Sequence, residues 1–568
     1  MVMLLLACTP SKSPGDLGAT DTAELAADSG AETAGDPGGR APDEADALYN
    51  PELLHEVEIT LPAEDWDHLR LETRSIYDML SGECLAAPWE SPYTWVEAEV
   101  SIDGASLGAV GLRKKGLLGS ASLTRPSLRI DTDRFVEHAR YLGLEKIVLN
   151  NNNQDWSRMR TCLAHGFFAD AGLVAPRCSL AHVTVNGEDM GIYDNTEAFD
   201  ADLIERVEGA APATLYEGRL SDFREGWLGT FEAKTDASDG ADLAAVVDAL
   251  DADDAEVLDR LGEVIDLDNF YRFWAAESIA GHWDGYAGNT NNFYVYGAPE
   301  DGRLRFIAAG PDAAFDSREP FGAGQPVWVA TLGALSNRLI QIPAARVQYE
   351  LMVQQLMDEA WRADERLARL DALADLTHDL MARDERRAVS ALRAIVEAKE
   401  EDILGALGGE VEAASLRGVP CFVHNGDVTV DFSTTFGSYP DGDLFTGGEA
   451  STAYEIAGHA YTALEDGVSI GWYGDGRVFW VTISRIAEDT WLAPYVLFDP
   501  ALLVDGADIE IDGYQAEALL LYNSPDTGGQ WWTAAYLGEG VFHLDEASGE
   551  DGDPVSGALD LFVLGSEG

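Results

Sequence analysis

Three residue types in one short stretch of this chain could do chemistry. His282 and Asp284 form a His-x-Asp pair, and Asn289 follows the aspartate by five residues. This is the spacing of a protein-kinase catalytic loop, in which the aspartate accepts the proton of the attacking hydroxyl and the asparagine holds a metal ion. A second acid, Asp312, follows the strand-like run 304–307 and is placed to act as the other metal ligand.

Phosphoryl transfer asks little more of a protein than these groups. It needs a base near the attacking oxygen and metal ions that neutralise the phosphate charge. The motif alone is not specific, because a polar loop whose aspartate and asparagine cap a turn would carry the same letters. His282 is predicted to support the loop and not to bind metal.

Strands and a loop precede this site along the chain. Alternation of apolar and polar residues predicts strands at 54–61, 92–103, 106–114, 127–131, 180–185 and 190–196. A loop bearing Gly and Ser occupies 116–122. Lys115 borders that loop and Arg129 lies in the strand after it. Either cation could bind nucleotide phosphate, which carries dense negative charge, and both could instead be solvated strand residues.

Helices are predicted where apolar residues recur at helical spacing. They lie at 157–171, 242–263, 266–280 and within 346–407. Ser157 is the predicted N-cap of the first helix, and Gly172 its stop. The helix at 266–280 leads directly into the His282 loop, so it would position the candidate catalytic residues.

Several blocks of sequence then occur in a fixed order. They are LHEVEITLP at 54–62, GLRKKG at 111–116, RPSLRID at 125–131, DWSRMR at 155–160, DAGLVAPR at 170–177, VNGEDMGIY at 185–193 and WDGY at 283–286. Across roughly residues 50–407 these blocks resemble the CotH family, the spore coat protein H group of atypical secretory protein kinases.

The resemblance implies a divergent, two-lobed protein-kinase-like domain that binds ATP with Mg²⁺ or Mn²⁺ and phosphorylates Ser or Thr of surface or secreted proteins. By position, Asp284 would be the catalytic aspartate. Asn289 and Asp312 would be metal ligands. Lys115 and Arg129 would bind the nucleotide.

The chain also departs from the family pattern in three places. The loop at 116–120 reads Gly-Leu-Leu-Gly-Ser where a Gly-Asn-Ser-Ser-like turn is usual, and Thr161 stands where an acid is common. The segment 311–315, Pro-Asp-Ala-Ala-Phe, lacks the glycine of an Asp-Phe-Gly motif. The altered turn at 116–120 and the missing acid at 161 favour an alternative function, a catalytically inactive kinase-like scaffold or surface-binding protein.

Composition limits the partners. The 568 residues exceed what one core holds, so more than one domain is expected. The 37 basic and 101 acidic side chains give a formal net charge of -64. Such a surface repels nucleic acid and anionic lipid and favours a basic, Ser-rich protein substrate, although solubility or a salty habitat would also explain it. The sequence indicates no oligomeric state.

The N-terminus suggests export. Leu5-Leu6-Ala7-Cys8 resembles a bacterial lipobox, which predicts a truncated lipoprotein-type signal at 1–8 and lipidation of Cys8. Residues 9–47 are rich in Ala, Asp, Gly, Thr and Pro and are predicted to form a disordered acidic tether. The protein would then be extracytoplasmic and membrane-anchored through lipid alone.

The predicted helices and strands together indicate an α+β fold class with two folded domains. Residues 48–408 are predicted to form the kinase-like domain, and 417–568, with many short alternating runs, an all-β sandwich-like domain. Four further cysteines, at 84, 162, 178 and 421, allow three pairings or could include buried thiols.

Overall fold

The computed structural model describes residues 43–73, 75–116, 120, 122–315, 325–439, 447–473, 476–513, 515–527 and 530–566. The predicted lipidation of Cys8, the signal at 1–8, most of the tether at 9–47 and loop positions 117–119 lie outside these residues. Within the described residues, no helix has both the length and the apolar character needed to cross a membrane.

The N-terminal part is a closed barrel of seven strands. They are β1 (Leu54–Thr60), β2 (Val96–Ile102), β3 (Ala105–Lys115), β4 (Ser127–Asp131), β5 (Lys146–Asn150), β6 (Cys178–Val185) and β7 (Glu188–Thr196). Their order is β1-β2-β3-β4-β5-β7-β6, and β6 closes the barrel by pairing in parallel with β1. Alternate residues such as Val100, Leu112 and Leu128 fill the interior, because successive strand side chains point to opposite faces.

Three helices lie between these strands in the sequence. They are α1 (Ala63–Leu71), α2 (Ile76–Leu80) and α3 (Arg160–Asp170). The predicted N-cap Ser157 is wrong, because α3 begins three residues later. Arg158 has a φ of +62°, which no helix tolerates, and the Asp155 carboxylate accepts the Met159 and Arg160 N–H groups at 2.7 and 2.8 Å.

The middle part is mainly helical around a small sheet. Its helices are α4 (Ala201–Glu208), α5 (Ala241–Leu250), α6 (Val257–Val264), α7 (Leu267–Ala280), α8 (Tyr286–Asn289), α9 (Ala334–Ile340), α10 (Pro343–Leu356), α11 (Ala363–Thr377) and α12 (Arg383–Ala406). The strands β8 (Leu215–Gly218), β9 (Glu232–Ala233), β10 (Phe293–Gly297) and β11 (Leu304–Ala308) form a sheet in the order β11-β10-β8-β9. The predicted helix 242–263 is therefore two helices, since the acidic run 251–254 favours a turn.

Helix α7 is the centre of the main hydrophobic core. Every residue from Ile279 back to Phe273 is buried, and the Trp274 ring stacks on Tyr349 of α10 with centroids 3.8 Å apart. The helix cannot shift without opening this packing. Its C-terminal end is thus a rigid support for the loop that follows.

The C-terminal part is β-rich, as predicted. Its strands are β12 (Phe422–Thr435), β13 (Gly448–Ile456), β14 (His459–Thr462), β15 (Glu465–Trp472), β16 (Val478–Ala487), β17 (Thr490–Phe498), β18 (Ala507–Glu510), β19 (Ala516–Asn523), β20 (Trp532–Glu546) and β21 (Pro554–Ser566). All pair antiparallel in one sheet.

Two disulfides choose one of the three possible cysteine pairings. Cys84 bonds to Cys421, which joins the segment before β2 to the start of the C-terminal part. Cys162 bonds to Cys178, which fastens the first turn of α3 to the start of β6. Both pairs are buried.

Candidate active site

The loop after α7 is held where it leaves the helix. Gly281, with a φ of +64°, ends the helix in the left-handed conformation that glycine adopts without strain. The Ala280 carbonyl accepts the N–H of Phe315 at 2.8 Å, which brings the segment after β11 to the end of α7. Two segments more than 30 residues apart in sequence therefore meet at one point.

Glu277 organises the loop from beneath. Its carboxylate lies 3.1 Å from His282 Nδ1 and accepts the N–H groups of Tyr286 and Ala287 at 3.2 Å each. A Cβ on Gly285 would lie 2.1 Å from Glu277 Oε1, so only glycine fits there. His282 is itself buried and turned toward Glu277, which is the supporting role that the sequence predicts.

Asp284 faces three asparagine amides. Its Oδ1 accepts hydrogen bonds from Asn289 at 2.5 Å and Asn291 at 3.2 Å, and its Oδ2 accepts one from Asn292 at 2.7 Å. Burial raises the pKa of Asp284, while the Asn289 and Asn291 hydrogen bonds and the His282 charge oppose this rise. The three amides fix the orientation of the carboxylate and favour its charged form.

Asp312 lies on a single 3-10 turn, residues 311–313, just after β11. The turn follows Gly310, whose φ is +56° and whose Cβ would lie 3.0 Å from the Asn292 side chain. Burial and the nearby charges of Asp284 and Asp155 raise the pKa of Asp312 to about 6. The site thus concentrates negative charge on carboxylates that ionise only reluctantly without a cation.

Two further buried acids belong to this charged cluster. Asp155 caps α3, and Asp194 lies on β7 beside the Cys162 sulfur. Burial, together with the charges of Asp155 and Asp312, raises the pKa of Asp194 to about 7. The Thr161 and Asn152 side chains act in the other direction and favour the ionised form of Asp194.

Two basic side chains that were predicted to bind the nucleotide lie on barrel strands. Lys115, at the end of β3, donates a hydrogen bond to Asn150 Oδ1. Burial and the Arg129 charge lower the pKa of Lys115 to about 8, while the Asp312 and Glu217 charges act in the other direction. Arg129 on β4 lies opposite Arg113 in the antiparallel register of β3 and β4. Lys115 thus lies within electrostatic range of Asp312, and Arg129 acts on Lys115.

Glu217 on β8, whose charge acts on Lys115, also contacts two more cations. Arg219 Nε donates to its carboxylate at 2.7 Å, and Lys234 Nζ lies 2.6 Å from it. Although burial opposes the shift, Arg219 and Lys234 lower the pKa of Glu217 to about 2. Within a chain of net charge -64 this group of cations is a local exception, and it suits an anionic ligand.

The donor set fits a hard divalent cation. Asp284, Asp312 and Asn289 offer only carboxylate and amide oxygens, the ligands that Mg²⁺ and Mn²⁺ prefer. Burial first, and then repulsion from the charges of Asp284 and Asp155, disfavour the ionised form of Asp312. A cation at this position would relieve that repulsion.

The structure therefore brings Asp284, Asn289 and Asp312 together, with Lys115 acting on Asp312 and Arg129 acting on Lys115. Sequence reasoning gave no role to Asp155, Asp194 or Arg219. Asp155 stood inside a quoted block of sequence, which was a usable signal. Asp194 lies in a plain strand, and nothing in its sequence neighbours distinguishes it.

Comparison with known proteins adds a family. A model of the family described as "CotH kinase protein" matches residues 102–404, more than half of the chain. The inner spore coat protein H of Bacillus subtilis strain 168 is 22% identical over 241 residues, which cover 39% of this chain and 65% of the relative.

Two other relatives are similar. An inner spore coat protein H-like protein of the same bacterium is 24% identical over 261 residues, which are 44% of this chain and 75% of the relative. Spore coat protein homolog 1 of Rhizopus delemar is 24% identical over 268 residues, which are 40% of this chain and 43% of the relative. The chain thus spans between 43% and 75% of these relatives' lengths.

Proposed function

Because this chain belongs to the CotH kinase protein family, we propose that it is an ATP-dependent protein kinase that phosphorylates Ser or Thr. Asp284 would be the catalytic aspartate, Asn289 and Asp312 would hold the metal, and Lys115 and Arg129 would bind the nucleotide. The single observation that carries this proposal is the direct hydrogen bond between Asn289 and Asp284 within electrostatic range of Asp312.

The proposed domain is two-lobed. The barrel strands β1–β7 would form one lobe and the helices around α7 the other, with the nucleotide between them. In support, the candidate cations Lys115 and Arg129 lie on barrel strands, whereas Asp284 and Asp312 lie on the helical side. Cations on one wall and metal ligands on the other suit a triphosphate that bridges the two.

The reaction follows from these positions. The hydroxyl oxygen of the substrate Ser or Thr attacks the γ-phosphorus of ATP, the bond from that phosphorus to the β–γ bridging oxygen breaks, and ADP leaves with its electron pair. Asp284 accepts the hydroxyl proton. Asn291 and Asn292 keep its carboxylate oriented and charged until that moment. When bound, the metal supplies positive charge against the phosphate oxygens.

Lys115 and Arg129 would neutralise the remaining phosphate charge. Lys115, at the end of β3, donates a hydrogen bond to Asn150 at the end of β5. Its ammonium group is therefore oriented before the nucleotide binds. Preorganised charge of this kind stabilises a transition state better than a mobile side chain does.

We place the protein outside the cytoplasm. Two relatives carry "inner spore coat protein" in their names, which supports a surface location. The lipobox-like Leu5–Cys8 would anchor the chain to a membrane by lipid. The acidic surface favours a basic, Ser-rich protein as substrate.

The test is identification of the phosphorylated residue. The full chain is incubated with ATP, Mn²⁺ and a basic Ser-rich protein, with and without a chelator, and the products are analysed by mass spectrometry. Phosphoserine or phosphothreonine that appears only without chelator would support the proposal. Chelator-insensitive or absent phosphate would leave the alternative, an inactive kinase-like scaffold or surface-binding protein.

A further inference from the structure

A linker strap, residues 407–421, connects α12 to the C-terminal part and crosses the helical side of the molecule. It is fixed at several points along its length. Arg346 Nη2 donates to the Gly409 carbonyl at 2.6 Å, and the Ala414 N–H donates to Thr331 Oγ1 at 2.9 Å. The far end of the strap is held by the disulfide from Cys421 to Cys84.

Arg417 of this strap reaches into the candidate active site. Its guanidinium donates to Asn289 Oδ1, and its charge acts on Asp284. The Arg417 backbone is held separately, because its carbonyl accepts a hydrogen bond from Arg224 Nη1 at 2.8 Å. The side chain is thus delivered to the catalytic loop by a backbone that does not depend on it.

The atom that Arg417 contacts is the one that matters for metal. Asn289 donates its amide nitrogen to Asp284, so its oxygen points the other way. That oxygen is the only ligand atom an asparagine side chain offers to a hard cation. It faces Arg417, so a guanidinium and a divalent cation would have to share one oxygen, and two like charges at that spacing repel strongly.

We propose that Arg417 competes with the metal for Asn289. The linker strap places the Arg417 guanidinium on the Asn289 side-chain oxygen, and a divalent cation must displace it in order to bind there. This inference rests on the proposed function, because it assumes that Asn289 ligates metal. Arg417 lies beyond residues 102–404, so it comes from outside the part of the chain that matches the family.

The competition has a consequence for the whole chain. A partner that displaces the Arg417 side chain from Asn289 would raise the affinity for metal. Binding of such a partner and metal binding at Asn289 would therefore be linked, since both act on the same contact.

The test measures Mn²⁺ affinity alone, without nucleotide, by electron paramagnetic resonance of free Mn²⁺ on the full chain. Arg417→Gln and Arg417→Ala should each bind Mn²⁺ roughly tenfold more tightly than the wild type, a factor usual for coupled sites. Both keep the backbone contact with Arg224, and thermal unfolding checks their fold. Arg346→Gln, which removes the contact of the same strap at Gly409, eight positions before Arg417, is the matched control and should change the affinity by less than about twofold.

A double-mutant cycle makes the assignment specific. In an Asn289→Ala background the Arg417→Gln change should tighten Mn²⁺ binding much less than it does in the wild type, because the shared oxygen is gone and only the effect of the Arg417 charge on Asp284 remains. Unchanged or weaker Mn²⁺ binding by both Arg417 variants would overturn the inference and leave the metal site standing. Absence of Mn²⁺ binding by the wild type and by every variant would overturn the metal site itself, and the inference with it.

Discussion

The side-chain nitrogen of Asn289 donates a 2.5 Å hydrogen bond to Asp284 Oδ1. The candidate catalytic base and the candidate metal ligand are therefore in direct contact. Both are fixed to the end of α7 through Glu277 and Gly285 beneath them. A change in the packing of α7 should thus alter the positions of both Asp284 and Asn289.

The first prediction concerns the orientation of Asp284. Asn292 has a φ of +47°, so Asn292→Gly removes the amide without straining the backbone. Loss of the hydrogen bond to Asp284 Oδ2 should lower kcat by roughly tenfold with little change in the KM for ATP, as expected for a group that positions the base. Steady-state kinetics of phosphate transfer measures this.

Asn186→Gly is the matched control for this substitution. Asn186 has a φ of +52° in the turn between β6 and β7, so the backbone change is the same, but its side chain bonds to the Leu61 N–H. It should leave kcat within about twofold of the wild type. An equal loss of kcat in both variants would mean that the positioning role of Asn292 is wrong.

The second prediction concerns stability and pH. Burial first, and then the charges of Asp155 and Asp312, raise the pKa of Asp194 from 3.8 to about 7 in the folded protein. Because the folded state holds this proton more tightly than the unfolded state, the associated stability is complete below pH 3.8 and is lost as pH rises through 7. Between pH 5 and pH 8 the wild type should lose on the order of 2 kcal/mol relative to Asp194→Asn, which has no such proton.

Urea unfolding of both proteins at pH 5 and pH 8 checks this. The free-energy difference between wild type and Asp194→Asn should widen toward pH 8 in favour of the variant. A difference that stays constant across this range would show that Asp194 does not titrate there.

The third prediction concerns Lys115. Burial and the Arg129 charge lower its pKa to about 8, so the side chain loses its positive charge as pH rises through that value. The affinity for ATP should therefore fall above pH 8 in the wild type. In Lys115→Arg, whose guanidinium stays charged, the affinity should remain level between pH 7 and pH 9.

Calorimetric titration with ATP and Mn²⁺ across this pH range measures both proteins. Lys115→Met should weaken ATP binding by roughly tenfold at pH 7, because it removes a charge-assisted hydrogen bond. Lys146→Met is the matched control. Lys146, the first residue of β5, forms an ion pair with Asp200 and has no proposed role in nucleotide binding. A pH-independent affinity in the wild type would count against Lys115 as a phosphate ligand.

The local parts of the candidate site were predictable from sequence. Helix α7, the loop after it and strand β4 at 127–131 were expected within one residue of where they lie, because apolar periodicity and turn residues act over short distances. The spacing of Asp284 and Asn289 likewise lies within one loop.

The remaining parts depend on contacts between distant segments. Arg417 is 128 positions from Asn289, and Asp194 joins the acidic cluster only because β7 lies beside α3. No pattern in either segment encodes such a meeting. The true N-terminal cap of α3 was missed for a different reason, since the positive φ of Arg158 cannot be read from its residue type.

The most direct test of the kinase account is the initial rate of γ-³²P transfer from ATP in the presence of Mn²⁺ to a basic Ser-rich protein. Three forms of the full chain are compared: the wild type, Asp284→Asn and the control Asp259→Asn, an exposed acid on α6. The account predicts that Asp284→Asn slows transfer by at least about a hundredfold, as loss of a general base does, while Asp259→Asn keeps the wild-type rate. Equal rates in all three, or no transfer by the wild type, would contradict it.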